Sequence, residues 1–188
     1  LPALRPPLAP LDPAIVAKIQ GLLVNGKSVV ITSGLLRALQ GKGIERIVDL
    51  EVLDNRVRTR RFGDFRTVFE GTKDILLPQI RYATNDSWEE LTAYDGANGY
   101  PLLHHADYAN GRLYVLTIPD TASDLYALPA PALDRIRRVV SKGMPVRLEG
   151  ESRVALLAYD NDSFVLHSFL DHHTRVLKLE RQRTDRKS

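Results

Sequence analysis

The sequence contains no cysteine, which excludes disulfide bonds, thiolate nucleophiles and cysteine-ligated metal sites. The same absence leaves the redox compartment undecided, and we favour a periplasmic or extracellular location over a cytoplasmic one. No run approaches the ~20 apolar residues that a membrane-spanning helix needs, so we expect no membrane partner. The start also lacks the basic-then-apolar order of a signal peptide. No cofactor is expected.

The sequence also lacks a large excess of either charge. The formal net charge of +3 comes from 26 Lys and Arg residues against 23 Asp and Glu residues. Part of it lies after Leu179, where four basic residues stand against two acidic ones, so the body of the chain is close to neutral. Nucleic-acid binding requires a basic stripe on a folded face with aromatic residues between the charges. This pattern predicts no nucleic-acid partner.

The stretch from Asp12 to Gln40 predicts a helix, a buried strand and a second helix. Asp12 and Pro13 are typical of a helix start, because the Asp side chain accepts from first-turn amides and Pro gives up an unneeded N–H. Residues 27–32 form a β-branched run without polar alternation, which favours a strand covered on both faces of a parallel sheet. Ligand sites in such sheets form beyond the carboxyl ends of the strands, here at residues 32–34.

A second apolar run at residues 113–118 predicts another strand of this kind, and Asp120 follows its carboxyl end. Asn110 and Gly111 before it are the strongest hairpin signal in the chain. We therefore predict an α/β fold for residues 12–143, with a partial flavodoxin-like parallel sheet and helices. The two apolar strands are expected to lie side by side in the interior.

The pattern changes after Gly143. Four short apolar runs are separated by polar turns about every ten residues, which is typical of an antiparallel sheet. We therefore predict a small antiparallel β domain at residues 144–180. The Pro-rich residues 1–11 are predicted to be an extended linker, and residues 181–188 a disordered tail. We expect the whole to be a C-terminal piece of a larger protein.

Two parts of the sequence resemble known families. Residues 25–34 are similar to the middle of class I glutamine amidotransferase-like domains, especially the non-catalytic trimerisation domains behind the barrel of some β-galactosidases. Residues 153–171 and 176–179 resemble the small β domain that closes many glycosidases. The likeness implies an amidotransferase-like sheet, contacts with other domains of the parent chain, and assembly as a homo-oligomer. Amidotransferase activity is not implied, because that family attacks with a cysteine.

Ser33 and Asp120 are the candidate catalytic residues. Ser33 stands at a strand-to-helix turn, where α/β hydrolases place a nucleophile, but Ile31 and Leu35 occupy the two positions where that motif has Gly. Ordinary turn chemistry is therefore the better interpretation of Ser33. Asp120 follows the other apolar strand, at the second place where an α/β site can lie.

Aromatic residues offer a candidate carbohydrate surface. Trp88, Tyr94 and Tyr100 could bind sugar, because flat aromatic faces suit the apolar faces of pyranose rings. Core packing is the better interpretation for side chains that bury this much apolar area. Carbohydrate nevertheless remains a partner hypothesis.

Histidines and a carboxylate offer candidate metal ligands. His104 and Asp107 could share a metal with His172 if two distant turns met in space. Adjacent histidines in a strand point to opposite faces, so each His-His pair can supply only one ligand to a given site. Solvent-facing turn residues are the better interpretation, and no metal is expected.

These observations predict a non-catalytic structural or assembly module from the C-terminal part of a larger bacterial carbohydrate-processing protein of the glycoside hydrolase type. The alternative is a hydrolase with its site at the carboxyl ends of strands 27–32 and 113–118. One feature separates the two hypotheses. Polar groups that converge on an open pocket after Thr32 and Ile118 would favour the hydrolase, whereas a filled rim would favour the module.

Overall fold

A computed structural model describes residues 12–83, 86–144, 146–159, 161, 163–170 and 178–181. The described strands are β1 Ser28–Thr32, β2 Leu50–Gly63, β3 Val68–Tyr82, β4 Ser87–Asp95, β5 Asn98–Tyr108, β6 Gly111–Leu116, β7 Val146–Glu149, β8 Val154–Ala158, β9 Phe164–Ser168 and β10 Lys178–Arg181. The described α-helices are α1 Ile15–Val24, α2 Ser33–Leu39 and α3 Ala130–Val140, and 3-10 turns span Ile44–Arg46 and Ala122–Ala127. None of these helices is long and apolar enough to cross a bilayer. The predicted linker, residues 1–11, and residues 182–188 of the predicted tail lie outside the described residues.

Six strands form one mixed sheet in the order β1-β6-β5-β4-β2-β3. Within it β1 and β6 run parallel, and every other neighbouring pair is antiparallel. The predicted flavodoxin-like parallel sheet is therefore wrong, and so is the α/β class. The physical reason is the connections. Parallel neighbours need long crossovers, whereas short turns join β2 to β3, β4 to β5 and β5 to β6 and return the chain antiparallel.

The two apolar strands lie side by side, as the sequence predicts, with Ser28 opposite Arg112 and Thr32 opposite Leu116. The expectation that the first of them is covered on both faces is wrong. β1 lies at the edge of the sheet, where Ile31 is 4% exposed and the next residue back, Val30, is 38% exposed. One face of this strand is therefore partly exposed to solvent.

Each face of the sheet carries its own apolar core. The first core lies under α1 and α2 and includes Leu23, Leu36 and Val115. The second lies under α3 and the 3-10 turn at Ala122–Ala127, and its fully buried aromatic residue is Phe62. Helix α3 buries Ala132 and Ile136 against this face. Helices therefore cover part of each face, but no α-helix lies between β2 and β6 in the chain.

The last described strands form two small antiparallel pairs. β8 pairs with β9 from Val154 opposite Ser168 to Ala158 opposite Phe164, and β7 pairs with β10. Arg181 closes β10, so the strand reaches the first residue of the predicted tail. This part of the chain is antiparallel, as its turn spacing indicates.

Candidate functional site

The carboxyl ends of β1 and β6 meet at one rim of the sheet. There Thr32 caps α2, because its Oγ1 accepts from Leu35 N at 3.2 Å. Ser33 is 3% exposed, and its Oγ accepts from Ile118 N at 3.0 Å. The hydroxyl therefore joins the start of α2 to the segment after β6, and packing protects it from solvent.

Asp120 is engaged at the same rim by a different partner. Its two carboxylate oxygens accept from Arg56 Nε at 2.9 and 2.8 Å, and its backbone N donates to Leu76 O at 3.0 Å. These bonds tie the loop after β6 to β2 and β3. Among the described residues no hydrogen bond joins Ser33 to Asp120, so the two catalytic candidates form no nucleophile–acid pair there.

His104 lies in the middle of β5 and is 0% exposed. Its ring is 4.7 Å from the ring of Tyr82, and neither ring nitrogen has a hydrogen-bond partner among the described residues. Burial, with a smaller contribution from the charge of His105, lowers the pKa of His104 to about 4. Glu89, opposite His104 on β4, accepts from Tyr82 Oη at 2.8 Å and from Thr92 Oγ1. His104 is therefore a neutral core side chain at neutral pH.

The candidate metal ligands do not converge in the described part of the chain. His104 and Asp107 are three residues apart in one strand, so their side chains point to opposite faces. Asp107 accepts from Arg112 Nε at 2.6 Å, and this bond holds the pKa of the carboxyl below its usual value. His172 lies outside the described residues. Within those residues no three potential ligands are grouped around a common point.

The three aromatic candidates do not share one surface. Trp88 is the second residue of β4 and is 49% exposed, whereas Tyr94 lies six residues further along the strand, a separation of ~20 Å at ordinary strand rise. Tyr100 packs against the second core. Of the three, Trp88 is the side chain with a large exposed area.

Trp88 stacks on His105, and the two ring centroids are 5.2 Å apart. The His105 ring also packs against the ring of Tyr114, and these two centroids are 5.6 Å apart. On its other side, His105 Nδ1 lies 2.9 Å from Glu90 Oε1, at an angle that does not form a good hydrogen bond. Burial lowers the pKa of His105, Arg112 adds to that effect, and Glu90 opposes it. Sequence analysis did not find this trio of Trp88, His105 and Glu90.

Glu90 also lines a cleft of about 350 Å³ between α3 and the sheet. Three carboxylates and two guanidinium groups line it, together with an apolar floor. The charged residues are Glu90, Asp134, Arg135, Arg138 and Glu149, and the apolar ones are Phe69, Leu103, Pro131 and Val139.

Most charges in the cleft already have partners. Arg135 donates to Asp64 Oδ2 at 2.5 Å and to the Glu90 backbone O at 3.2 Å. Asp134 Oδ1 accepts from Arg137 Nη1 at 3.1 Å and from Gly150 N at 2.8 Å. The Arg138 side chain is exposed, and no ion pair or hydrogen bond joins it to another residue that the structure describes.

Fold and rim together define a β-rich domain with a mixed sheet, whose polar strand ends are used in packing. A family model described as "Uncharacterized protein SSO3021, second domain" matches residues 13–121, more than half of the chain. The chain belongs to this family. Residues 145–186 match a second model, described as "Probable glycosyl hydrolase, C-terminal domain". That match supports the predicted association with glycoside hydrolases, whereas the amidotransferase-like class gains no support.

Similar solved structures share little sequence with the chain. The cytoplasmic protein STM1381 from Salmonella typhimurium LT2 is 15% identical, with a TM-score of 0.42, over 55% of this chain and 48% of that chain. A catalytic mutant of Gan42B, a GH42 β-galactosidase from G. stearothermophilus, is 13% identical, with a TM-score of 0.45, over 76% and 22%. Another Gan42B structure is 10% identical, with a TM-score of 0.42, over 89% and 30%. The chain spans less than half of each structure, and likeness at this level carries no functional argument. No curated protein matches significantly.

Proposed function

We propose that this chain is a non-catalytic structural module that packs against other domains of a larger, bacterial carbohydrate-processing protein. The observation that carries the proposal is the filled rim: Ser33 accepts from Ile118 N and Asp120 is held by Arg56, so the polar strand ends serve packing. The match of residues 145–186 to a glycosyl hydrolase C-terminal domain supports the carbohydrate context. Within this proposal the module has two parts, residues 12–143 and residues 144–180.

Turnover assays test the non-catalytic role. The chain, Ser33→Ala and Asp120→Asn are incubated with a panel of nitrophenyl glycosides and nitrophenyl esters. We expect no release of nitrophenol above the buffer rate from any of the three. Turnover by the parent chain that either substitution abolishes would overturn the proposal in favour of a hydrolase.

Ser33→Ala is expected to lower stability, because it removes the acceptor of the Ile118 N–H while leaving that donor in a partly buried place. The expected cost is about 1–2 kcal/mol in the free energy of unfolding. Urea unfolding followed by tryptophan fluorescence measures it. Ser28→Ala, at an exposed position of β1, is the matched control and should change stability by less than about 0.5 kcal/mol. Equal stabilities of the two variants would mean that the Ser33 hydroxyl does not hold the rim.

An exposed apolar patch on the β8–β9 hairpin supports the docking part of the proposal. We call it the hairpin face: Leu157 and Val165 lie opposite each other and are 51% and 49% exposed, and Phe169 is 61% exposed. Phe169 and Tyr126 also line a groove of about 410 Å³ beside it. Contiguous exposed apolar surface marks an interaction site. We assign it to a neighbouring domain of the larger protein, because the hairpin lies in the segment similar to a glycosyl hydrolase C-terminal domain.

Leu157→Lys combined with Val165→Lys is expected to loosen the module in the larger protein without unfolding it. The stability of residues 1–188 on their own should change by no more than about 0.5 kcal/mol, since both side chains are half exposed. In the larger protein, limited proteolysis should release the module several times faster. Val140→Lys, at an exposed valine on α3, is the control and should leave the release rate unchanged. Unchanged release from the double variant would remove the hairpin face as the docking surface.

A further inference from the structure

We propose that the cleft between α3 and the sheet binds a neutral sugar ring. The chemistry of two of its charged groups carries this inference. The Glu90 carboxylate can only accept hydrogen bonds, and the Arg138 guanidinium can only donate them. Both line the same cleft, so an occupant that uses both must donate and accept. A hydroxyl group does both, and a sugar presents several.

The remaining walls fit the same class of ligand. Phe69, Leu103 and Val139 give the cleft an apolar floor, which suits the C–H face of a pyranose. The volume of about 350 Å³ falls at the small end of the ~300–1,000 Å³ range of small-molecule sites. The cleft is therefore sized for one or two sugar rings and not for a long segment of protein.

The charges of the cleft favour a neutral ligand over an acidic one. Three carboxylates and two guanidinium groups line it, so its summed charge is negative. Arg135 is already engaged by Asp64 and by the Glu90 backbone, which leaves Arg138 as the cation available to a ligand. A uronic acid would gain Arg138 but would meet Glu90 across the same small volume. A neutral sugar meets no such repulsion.

Glu90, one of the two groups proposed to contact the ligand, is held in place before the ligand arrives. Arg135 fixes the backbone of Glu90 by donating to its carbonyl at 3.2 Å. The Glu90 carboxylate stands 2.9 Å from His105 Nδ1, and the His105 ring is stacked on Trp88. Pre-organised groups lose less freedom on binding, which favours affinity. The same stack makes Trp88 a reporter, because a ligand on Glu90 perturbs the indole through His105.

Fluorescence titration of the whole chain with galactose, glucose, lactose and glucuronate tests the inference. We expect a saturable change in Trp88 emission with at least one neutral sugar, with a Kd of about millimolar order, and weaker binding of glucuronate. Arg138→Ala and Glu90→Gln should each weaken that binding about tenfold, the effect of losing a hydrogen bond to a charged group. Arg58→Ala, at an exposed arginine of β2 outside the cleft, is the matched control and should bind as the parent does.

Two outcomes overturn the inference: no saturable signal with any neutral sugar, or binding that neither Arg138→Ala nor Glu90→Gln weakens. Binding of glucuronate alone would also overturn it, because it would mark a simple anion site on Arg138. The inference rests on the proposed function only for the expectation that sugar is bound and not cleaved. Sugar products are therefore assayed in the same samples. Cleavage would overturn the proposed function, whereas absent binding without cleavage would overturn the cleft and leave the module role standing.

Discussion

Gly111→Ala is expected to cost about 3 kcal/mol or more in the free energy of unfolding. A Cβ at this position would lie 2.5 Å from the carbonyl oxygens of Leu23 and Lys27 and 2.7 Å from Leu23 Cα. These are backbone atoms near the end of α1 and in the residue before β1, so no side chain can rotate away. The end of α1 must shift off the sheet, and overpacking of this kind reaches the upper end of the usual penalties. Urea unfolding followed by tryptophan fluorescence gives the value.

Gly21→Ala provides a control with the same chemical change and the opposite expected sign. Gly21 lies within α1, and a Cβ there would meet nothing within 4 Å. Because alanine favours an exposed helix interior over glycine, this variant should gain about 0.5–1 kcal/mol. A Gly111→Ala variant as stable as the parent chain would show that the turn before β6 does not pack closely against α1.

The sequence predicts the individual helices and strands better than it predicts which distant strands pair. The runs at residues 27–32 and 113–118 share one apolar character, and their parallel pairing follows from it. The edge position of β1 does not follow from its apolar character, because it depends on which other strands pair on that side of the sheet. Residues 50–108 show strand alternation and turn signals, but these patterns do not state the direction of pairing. The short connections favour antiparallel pairing, and because most strands of the sheet lie in this region, it decides the fold class. The predicted fold class is wrong because it extends the parallel pairing of two strands to the whole sheet.

The site shows the same limit at the scale of single residues. The missing glycines around Ser33 already argue for turn chemistry, and Ser33 indeed accepts from Ile118 N. The contact of Glu90 with His105 cannot be predicted from a local sequence motif. Trp88 pairs with His105, but a register shift after Glu89 displaces Glu90 from ordinary alternation. A bulge of this kind depends on both strands at once and leaves no periodic signal in either.

Acid is expected to destabilise the protein through His104 well before its carboxylates are protonated. The ordinary pKa of 6.5 applies to the unfolded chain, whereas burial lowers the folded pKa to about 4. Between these values the unfolded state binds a proton that the folded state does not, so stability falls as the pH decreases from about 6.5 to about 4. The full difference amounts to about 3 kcal/mol. Tyr82 and Glu89 face His104, and the lowered pKa of the neighbouring His105 acts in the same direction.

His104→Leu isolates this contribution, because leucine keeps an apolar side chain in the core and cannot take up a proton. Relative to the parent chain, the variant should become more stable by about 3 kcal/mol as the pH is lowered from neutral to about 4, measured by urea unfolding at each pH. His167→Leu replaces an exposed histidine of β9 and should leave the parent profile unchanged. Parallel profiles for His104→Leu and the parent chain would mean that His104 is not buried as a neutral side chain. In that case His104 would have to pack more loosely against Tyr82 than the ring contact of 4.7 Å implies.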